Sequence, residues 1–400
     1  MRPFDGRRVL LGVTGGIAAY KSAWLARLLW QAGAEVDVVM TRAATEFVGP
    51  VTFEALTGRA VHTDLFAAGR TLDHIRLARE ADAIVIAPAT ADFLARAAHG
   101  QADDLLSAVL LATQAPVLLV PAMNDRMWAH PQTGRNVAHL RELGYRVLEP
   151  ETGRLAAGEG QGPGRMPEPE TIFVHAGRLL EPQRWRGRRI VVTAGPTREA
   201  VDPVRFLSNR SSGKMGVAIA AAAWRRGADV VLVAGPLGVP APIGPERVPV
   251  ETTQDMLCAV QQALAQADAL IMAAAPADFR PAEQATSKIK KSRAPKALGL
   301  APTPDVLAET RSLRGDPMVS VGFALETDDV LANARVKLEA KGLDFIVVND
   351  ALEPGAGFAV DTNRVTLVAR DGSPEELPLM AKSELADVIL DRIEALFRER

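Results

Sequence analysis

Near its start the chain reads Arg8-Val-Leu-Leu-Gly-Val-Thr-Gly-Gly-Ile-Ala18. The apolar run at residues 8–14 predicts a buried strand, and residues 17–31 predict a helix directly after it. Between them, Gly15 and Gly16 let the backbone approach a phosphate, whose charge the free N–H groups at a helix start favour. The loop lacks a full Gly-x-Gly-x-x-Gly, so a tight structural turn is an equally good interpretation at this point.

The same alternation of strand and helix continues through the first half of the chain. Its further predicted strands lie at residues 35–40, 83–87, 116–120 and 145–148, and its further predicted helices at 91–98 and about 170–180. Such alternation is typical of a parallel α/β sheet. One connection, residues 150–169, is long and rich in glycine, proline and glutamate, so we expect either a functional flap or a disordered segment there.

The pattern restarts at residue 189, where basic residues again precede a β-branched run and then Thr and Gly. Strands are predicted at 189–193, 229–233, 269–273, 319–323, 344–348 and 364–368, and helices at 217–226, 254–267 and 383–398. The fold class is therefore predicted to be α/β, with two tandem three-layer Rossmann-like domains and mostly parallel sheets. We place the first domain at residues 1–180, a linker at 181–188 and the second domain at 189–400.

Composition limits the classes of function. The chain has 400 residues, 48% of them hydrophobic and 24% charged, which suits a globular protein of more than one domain. A net charge of −2 gives no reason to expect nucleic acid as a partner. No apolar run is long enough to span a bilayer or to form a signal peptide, so we expect no membrane partner and a cytoplasmic protein. A single cysteine, Cys258, excludes an internal disulfide.

The distribution of lysine points to the second half. Of 46 basic residues only nine are lysine, and seven of these lie between Lys214 and Lys341. An ammonium is a compact charge that suits phosphate. We interpret the lysine clusters as a site for a nucleotide or a phosphorylated substrate. The alternative is a solvated charged surface, and this alternative accounts well for Lys382.

Two more loops in the first half follow predicted strands. One reads Ala87-Pro-Ala-Thr-Ala-Asp92 and the other Pro121-Ala-Met-Asn-Asp-Arg-Met-Trp128. In a parallel sheet such loops meet the Gly15 loop at the carboxyl edge, where ligands bind. Outside these loops, His74 could act as an acid or base, or it could be a surface histidine at a helix start.

These motifs carry a resemblance to known enzymes. The three loops, above all Pro121–Trp128, resemble the flavin-dependent cysteine decarboxylase family. The second half contains Thr193-Ala-Gly-Pro-Thr-Arg-Glu-Ala-Val-Asp-Pro-Val-Arg205, Leu207-Ser-Asn-Arg-Ser-Ser-Gly-Lys-Met-Gly216 and the lysines of residues 288–291, which resemble phosphopantothenate–cysteine ligases. From about residue 7 to the last helix, the chain is similar to the bifunctional phosphopantothenoylcysteine decarboxylase/phosphopantothenate–cysteine ligase family of coenzyme A biosynthesis.

The resemblance implies two reactions. The ligase couples cysteine to 4′-phosphopantothenate through an acyl-cytidylate made from CTP, with Mg²⁺ assisting. The decarboxylase then uses FMN to convert phosphopantothenoylcysteine to 4′-phosphopantetheine. The implied partners are these small molecules and further copies of the chain, as decarboxylase trimers joined through ligase dimers.

The resemblance also implies site residues. The acid/base and substrate-carboxylate residues of the decarboxylase match His74 and Asn124, and the catalytic residues of the ligase match Asn209 and Lys288. The residues expected to bind FMN are Gly15, Gly16, Thr41, Ala87, Pro88, Thr90 and Met123. Those expected to bind CTP are Asp278, Lys288, Phe323, Lys337 and Lys341. The metal ligands stay open, with Asp278 a candidate near the CTP.

Two positions depart from the family pattern. Pro276 replaces a usual valine, which should stiffen the loop and leave Asp278 usable. Ala157 stands where the family carries a cysteine that donates a proton in the final reduction. The leading hypothesis is a bifunctional enzyme, and the second is a working ligase with a decarboxylase impaired at that reduction. A flavin-binding regulatory subunit is a third hypothesis, which the complete ligase signature disfavours.

Overall fold

The computed structural model describes residues 3–66, 71–154, 160–290, 297–326, 330–350, 357, 360–370 and 372–400. The chain divides into two compact units, Met1–Pro182 and Gln183–Arg400, called unit 1 and unit 2 below. In the described parts of both units, no helix is long and apolar enough to cross a membrane.

The main sheet of unit 1 is parallel throughout its described strands. These strands are β1 Arg8–Val13, β2 Glu35–Met40, β3 Ala83–Ala89, β4 Val117–Pro121 and β5 Arg146–Val147. They lie in the order β2-β1-β3-β4-β5. Every residue of β3 is buried, as expected for a parallel strand that is covered on both faces.

Helices cover both faces of this sheet. They are α1 Ala19–Gln31, α2 Arg42–Thr45, α3 Pro50–Thr57, α4 Asp73–Glu80, α5 Ala91–Ala98, α6 Leu105–Ala112, α7 Asp125–Trp128, α8 Pro131–Glu142 and α9 Pro169–Leu180. One apolar core joins α1, α3 and α9 to the sheet, and a second joins α4, α5, α6 and α8 to the opposite face. The prediction of a three-layer α/β domain is confirmed.

The strand order places the candidate loops. Because the chain crosses from β2 back past β1 to β3, the loops that leave β1 and β3 diverge and open a crevice at the carboxyl edge between them. Strand β4 is the next neighbour of β3. The loops after β1, β3 and β4 are therefore adjacent.

The connection at residues 150–169 contains an antiparallel hairpin, β6 Glu151–Arg154 paired with β7 Gln161–Arg165. The carbonyl of Gly164 accepts a hydrogen bond from the Met123 amide at 3.0 Å. A Cβ on Gly164, whose φ is +142°, would lie 2.2 Å from the Met123 carbonyl oxygen. Glycine is thus required for the hairpin to lie on the loop that follows β4.

Unit 2 has a larger sheet that is mostly parallel. The strands of unit 2 are β8 Arg189–Ala194, β9 Arg198–Ala200, β10 Phe206–Ser208, β11 Asp229–Ala234, β12 Glu246–Pro249, β13 Ala269–Met272, β14 Phe279–Pro281, β15 Leu300–Pro302, β16 Val319–Glu326, β17 Phe345–Asp350, β18 Thr362–Asn363, β19 Thr366–Ala369, β20 Glu375–Glu376 and β21 Met380–Ala381. Of its described strands, the main sheet takes eight in the order β12-β11-β8-β13-β16-β17-β19-β20. The last two pair antiparallel and the others parallel. Its crevice opens between β8 and β13.

Helices also complete the layers of unit 2. They are α10 Lys214–Arg225, α11 Thr253–Leu264, α12 Val306–Glu309, α13 Val330–Lys341 and α14 Lys382–Glu399, with a 3-10 turn at Arg311–Leu313. Helices α11 and α12 pack with Val191 and Leu270 in one apolar core. Helix α10 contacts β8, β11 and α14.

The segment predicted as a linker, residues 181–188, is folded onto unit 2 from Gln183 onward. Trp185 is 1% exposed, and its amide donates to the Arg226 carbonyl at 2.9 Å. Its ring meets Phe397 edge-on, with 5.4 Å between the ring centroids. Trp185 therefore stabilises the core of unit 2.

Candidate functional site

The loops after β1, β3 and β4 enclose a cavity of about 400 Å³ in unit 1. Hairpin β6–β7 forms another wall of this cavity, which we call the flavin cavity. Of the residues predicted for FMN and substrate, the structure brings these six together on its lining: Gly15, Gly16, Pro88, Thr90, Met123 and Asn124.

Two hydroxyl groups hold these loops in place. Thr14 Oγ1 donates to the Pro88 carbonyl at 2.8 Å and accepts from the Thr90 amide at 3.0 Å. Ser22 Oγ donates to the carbonyl of Ala87 at 2.5 Å. Ala87 is buried and lies behind the cavity wall. Thr14 and Ser22 were missed from the sequence, because a buried threonine or serine has no pattern that separates it from an ordinary core residue.

The two glycines of the first loop differ in their surroundings. A Cβ on Gly15 would lie 2.4 Å from the Cβ of Ala43, whereas a Cβ on Gly16 would meet only the Thr90 methyl, at 3.9 Å. Gly15 thus allows two loops to approach closely, which by itself is equally consistent with a tight structural turn. The cavity beside Gly15 is the observation that favours the phosphate-loop interpretation.

Thr41 lies on a neighbouring cavity of about 990 Å³, which shares Gly15 and Thr90 with the flavin cavity. Its side chain is buried and caps α2, accepting a hydrogen bond from the Ala44 amide at 3.3 Å. The structure therefore places Thr41 one cavity away from Asn124.

Asn124 precedes α7, and its Oδ1 accepts from the Arg126 amide at 2.9 Å. This hydrogen bond fixes the orientation of the side-chain amide. Its Nδ2, the donor group of Asn124, is then available to a carboxylate in the cavity. The short helix α7 holds this side chain at the wall, where hairpin β6–β7 also contacts the loop.

His74 is the second residue of α4, so the predicted helix start is correct. Its Nδ1 is buried and has no hydrogen-bond partner among the described residues. The Oδ2 atom of the preceding Asp73 lies 3.0 Å from Nδ1 of His62. Within the described chain, His74 lines neither the flavin cavity nor its neighbour.

The flavin cavity has a cationic lining. Among the described residues that line it, three are basic and none is acidic: Lys21, Arg154 and Arg165. Glu168, which is not part of the lining, pairs with both Lys21 and Arg165, and the net positive charge that remains favours an anionic occupant. The sequence carried one unused signal for this lining, because Lys21 is the single lysine of residues 1–200.

In unit 2, the loop after β13 brings Asn209 and Asp278 together. Asn209 Nδ2 donates to the carbonyls of Ala275 and Pro276, at 3.2 and 2.9 Å. The Ala277 amide donates to Thr197 Oγ1 at 2.9 Å, which fixes the backbone before the exposed Asp278. Asn209 therefore anchors the loop that carries Asp278.

Phe323 lies beside the same edge. It is half-buried in β16, and the preceding Gly322 pairs with Met272 at the end of β13. Its backbone is thus next to the start of the loop that carries Asp278.

Lys288 is exposed on a segment that is tied down by its neighbour. The Ile289 amide donates to Asp202 Oδ2 at 3.1 Å, and its carbonyl accepts from Arg205 Nη2 at 2.6 Å. Burial would raise the pKa of Asp202, but hydrogen bonds from backbone amides and from Arg205 hold that pKa well below its usual value. The motif around Asp202 therefore positions the Lys288 segment.

Lys337 and Lys341 lie four residues apart on α13, hence on one helical face. Lys341 forms an ion pair with Asp305, which caps α12. Burial opposes ionisation of Asp305, yet the Lys341 hydrogen bond and a backbone amide keep its pKa below the usual value. The charge of Lys341 is thus already paired in this structure.

Two further lysines, Lys214 at the start of α10 and Lys382 at the start of α14, lie close to Asp361. Lys214 follows Gly213, whose φ is +79°, and its Nζ lies 2.6 Å from Asp361 Oδ1. Lys382 is 6% exposed and donates to the carbonyls of Gly357 and Val360, both at 2.7 Å. Burial lowers the pKa of Lys382. The prediction of a solvated Lys382 is therefore wrong, since its ammonium caps loop carbonyls instead.

A cavity of about 570 Å³ in unit 2 is lined mainly by the hairpins β9–β10 and β14–β15, and none of the predicted ligase residues lines it. Within the described ranges, no group of three or more histidine, cysteine, aspartate and glutamate side chains is placed to hold a metal ion. Ala157 and Lys291 lie outside the described residues, so the predictions for them rest on the sequence.

Comparison with known proteins gives the family of both halves. Residues 2–177 match the family model described as Flavoprotein, and residues 185–397 match that described as DNA/pantothenate metabolism flavoprotein C-terminal domain. The chain is 49% identical to the coenzyme A biosynthesis bifunctional protein CoaBC of Mycobacterium tuberculosis (strain ATCC 25618 / H37Rv), over 97% of this chain and 96% of the relative. The chain belongs to the CoaBC family.

Other CoaBC relatives match over the same extent. The Bacillus subtilis (strain 168) CoaBC protein is 45% identical, with 99% of this chain and 98% of the relative covered. The crystal structure of the C-terminal domain of a CoaBC protein is 40% identical and matches 55% of this chain and all of that chain, with a TM-score of 0.47.

Proposed function

We propose that this chain, as a CoaBC family enzyme, makes 4′-phosphopantetheine in two reactions. Unit 2 ligates cysteine to 4′-phosphopantothenate with CTP, and unit 1 decarboxylates the product with FMN. The observation that carries the proposal is that nearly the whole chain, and therefore both halves, aligns with bifunctional coenzyme A biosynthesis proteins.

The residues of the flavin cavity fit FMN. Gly15 and Gly16 line the cavity without side chains, so the backbone can lie close to a phosphate, and the cationic lining suits that phosphate and an anionic substrate. When bound, FMN supplies an electron sink that makes the substrate carboxylate easy to lose. The protein's own task is to orient the substrate: Asn124 Nδ2 donates to the departing carboxylate, and water is displaced from the cavity.

His74 is the proposed acid/base of unit 1. Because its ring does not line the flavin cavity of its own chain, we propose that it acts in the cavity of a neighbouring copy within the predicted trimer. Its orphaned Nδ1 would then gain a partner at that interface.

For unit 2 we propose that CTP activates the carboxylate of phosphopantothenate as an acyl-cytidylate. A carboxylate is a poor acceptor of a nucleophile, and a nucleotidyl ester gives it a good leaving group. Asn209 would bind the pantothenate part, Lys288 would stabilise the charge that develops on the phosphates, and Phe323 would lie against the nucleotide. Lys337 and Lys341 would bind the triphosphate. Lys341 would first have to release its ion pair with Asp305.

Mg²⁺ would join this site through Asp278. The ion is usually held by one or two carboxylates together with substrate phosphates, so a single exposed carboxylate beside a nucleotide suits it. The dedicated protein cage that a structural metal needs is not required here.

The test is a set of separate measurements on the purified full-length protein. Supplied with 4′-phosphopantothenate, cysteine, CTP and Mg²⁺, it should form phosphopantothenoylcysteine. The protein should be yellow with non-covalent FMN and release CO₂ from phosphopantothenoylcysteine. Colourless protein that cannot be reconstituted with FMN would contradict the proposal for unit 1, and the lack of any CTP-dependent product would contradict that for unit 2.

Ala157 favours a second candidate, a working ligase whose decarboxylase stops before the last reduction. A methyl group cannot donate a proton, whereas loss of CO₂ does not need this residue. In that case one CO₂ and one enethiol would form per FMN, because the two electrons would stay on the flavin unless dioxygen accepts them. The variant Ala157→Cys should then raise formation of 4′-phosphopantetheine by roughly 10²–10⁴-fold, the usual contribution of a general acid. Equal rates in parent and variant would favour the complete bifunctional enzyme.

A further inference from the structure

Lys21 is a buried lysine in a part of the chain that otherwise uses arginine. It is the third residue of α1, directly after the Gly15–Gly16 loop, and its side chain is 8% exposed. It lines the flavin cavity. The proposed reactions use its charge as part of the cationic lining, but they do not account for its hydrogen bonds within the protein.

The contacts of Lys21 join two walls of the cavity. Its Nζ donates to the Met166 carbonyl at 2.9 Å and to Glu168 Oε1 at 3.2 Å. Met166 follows β7 directly, and its side chain is 1% exposed within the core beneath α1 and α9. The acceptors of Lys21 are therefore held by the core on one side and by the start of α9 on the other.

Charge balance supports a fixed geometry. A buried ammonium is tolerated only when its donors are satisfied and its charge is compensated. Glu168 provides the compensation and also pairs with Arg165, the last residue of β7. Arginine is not equivalent here, because its planar fork cannot place a single point charge between a carbonyl and one carboxylate oxygen.

We propose that Lys21 is a positioning residue that ties α1, and with it the flavin loop, to the end of β7, and so sets the width of the flavin cavity. This rests on the proposed function of unit 1. Without the contacts of Lys21, the wall formed by Gly164 and Arg165 is held by fewer hydrogen bonds. The one from the Met123 amide to the Gly164 carbonyl remains. Substrate capture suffers first, because Lys21 does not touch the reacting bonds.

The experiment uses the full-length, FMN-loaded protein and the variant Lys21→Met, which keeps an unbranched apolar chain and removes the ammonium. The KM of CO₂ release for phosphopantothenoylcysteine should rise by roughly tenfold, as expected for loss of hydrogen bonds from a charged donor, with a smaller change in kcat. Hydrogen exchange at the Met123 amide and at residues 162–165 should accelerate. Ligation by unit 2 in the same sample reports that the rest of the chain is folded.

A second variant and a control guard against misfolding. Glu168→Ala removes the ionic partner at a half-exposed site without opening the core, and it should raise the same KM less than Lys21→Met does. Trp24→Phe is the control: it removes a hydrogen bond from α1 to Glu170, 2.8 Å long, away from the cavity, and should leave the KM unchanged.

The outcomes separate the inference from the proposed function. Unchanged KM and exchange in Lys21→Met would overturn the positioning role, as would an effect of Trp24→Phe as large as that of Lys21→Met. Loss of flavin in both Lys21→Met and Glu168→Ala would also overturn it, in favour of a purely structural lysine. If the parent protein releases no CO₂, the proposed function fails, while the exchange measurement still tests the tie.

Discussion

The two units place their candidate residues in different ways. In unit 1, six predicted residues line one cavity, and internal hydrogen bonds of Thr14 and Ser22 hold its loops. In unit 2, the predicted residues are mostly exposed side chains on separate segments, and the 570 Å³ cavity contains none of them. The cavity of unit 1 is thus formed by the fold itself and suits the resident cofactor that we propose, whereas the charged side chains of the proposed nucleotide site would come together only around a ligand.

Lys288→Gln tests this difference most strongly. In the proposed role Lys288 stabilises a developing anion, so removal of its charge should lower the ligation rate by roughly 10²–10³-fold. Because Lys288 is exposed, the thermal stability of unit 2 and the release of CO₂ should not change. Lys290→Gln, also exposed and two residues away, is the matched control and should lose much less. Full ligase activity in Lys288→Gln would place the catalytic cation elsewhere.

Asn124→Asp applies the same logic to unit 1. A carboxylate in place of the amide would repel the carboxylate of the substrate, which costs several kcal/mol, on the order of 10²-fold in CO₂ release. The flavin content should stay the same, as measured by absorbance of the purified variant. Asn124→Ala separates repulsion from loss of a donor and should be the less impaired of the two. A variant Asn124→Asp as active as the parent would remove this residue from the site.

Gly15→Ala should show that the site of unit 1 is part of its packing. The new Cβ would lie 2.4 Å from the Cβ of Ala43, so the loops must separate at a cost of about 1–3 kcal/mol. The temperature at which FMN is released should fall. Gly134→Ala is the control, because its Cβ would meet nothing within 4 Å and it does not line the cavity, and its release temperature should change little. Equal shifts in both variants would show that the close approach at Gly15 is unimportant.

His175 should make the stability of unit 1 sensitive to acid. Burial, with the charges of Arg178 and Arg146, lowers its pKa to about 4 from an ordinary 6.5. Between these values the unfolded chain binds the proton and the folded chain does not, so stability falls as the pH drops from 6.5 toward 4. Allowing for partial exposure, the loss should be about 1–2 kcal/mol. His175→Gln should retain FMN to a lower pH than the parent, and an unchanged pH of release would contradict this.

Much of the architecture follows from local pattern. The strands β1, β2 and β11 and the helices α5 and α14 begin within one residue of their predicted positions, because apolar periodicity reports which faces are buried. The hairpins β9–β10 and β14–β15 were missed, since their strands are only three residues long and largely exposed. The pairing of β14 with β15 also joins residues distant in sequence, such as Phe279 and Pro302.

The alternation of elements, the three glycine- and amide-bearing loops and, through the motifs, the resemblance to a bifunctional family could be predicted from the residues alone. The strand orders that bring the loops after β1, β3 and β4 together, and the burial of Lys21 and Lys382, emerge only in the folded chain. Periodicity is a local property, read over one strand or helix. The partner of a lysine, be it the Met166 carbonyl or the Gly357 carbonyl, is set by packing between segments more than twenty residues apart, and no local pattern carries that information.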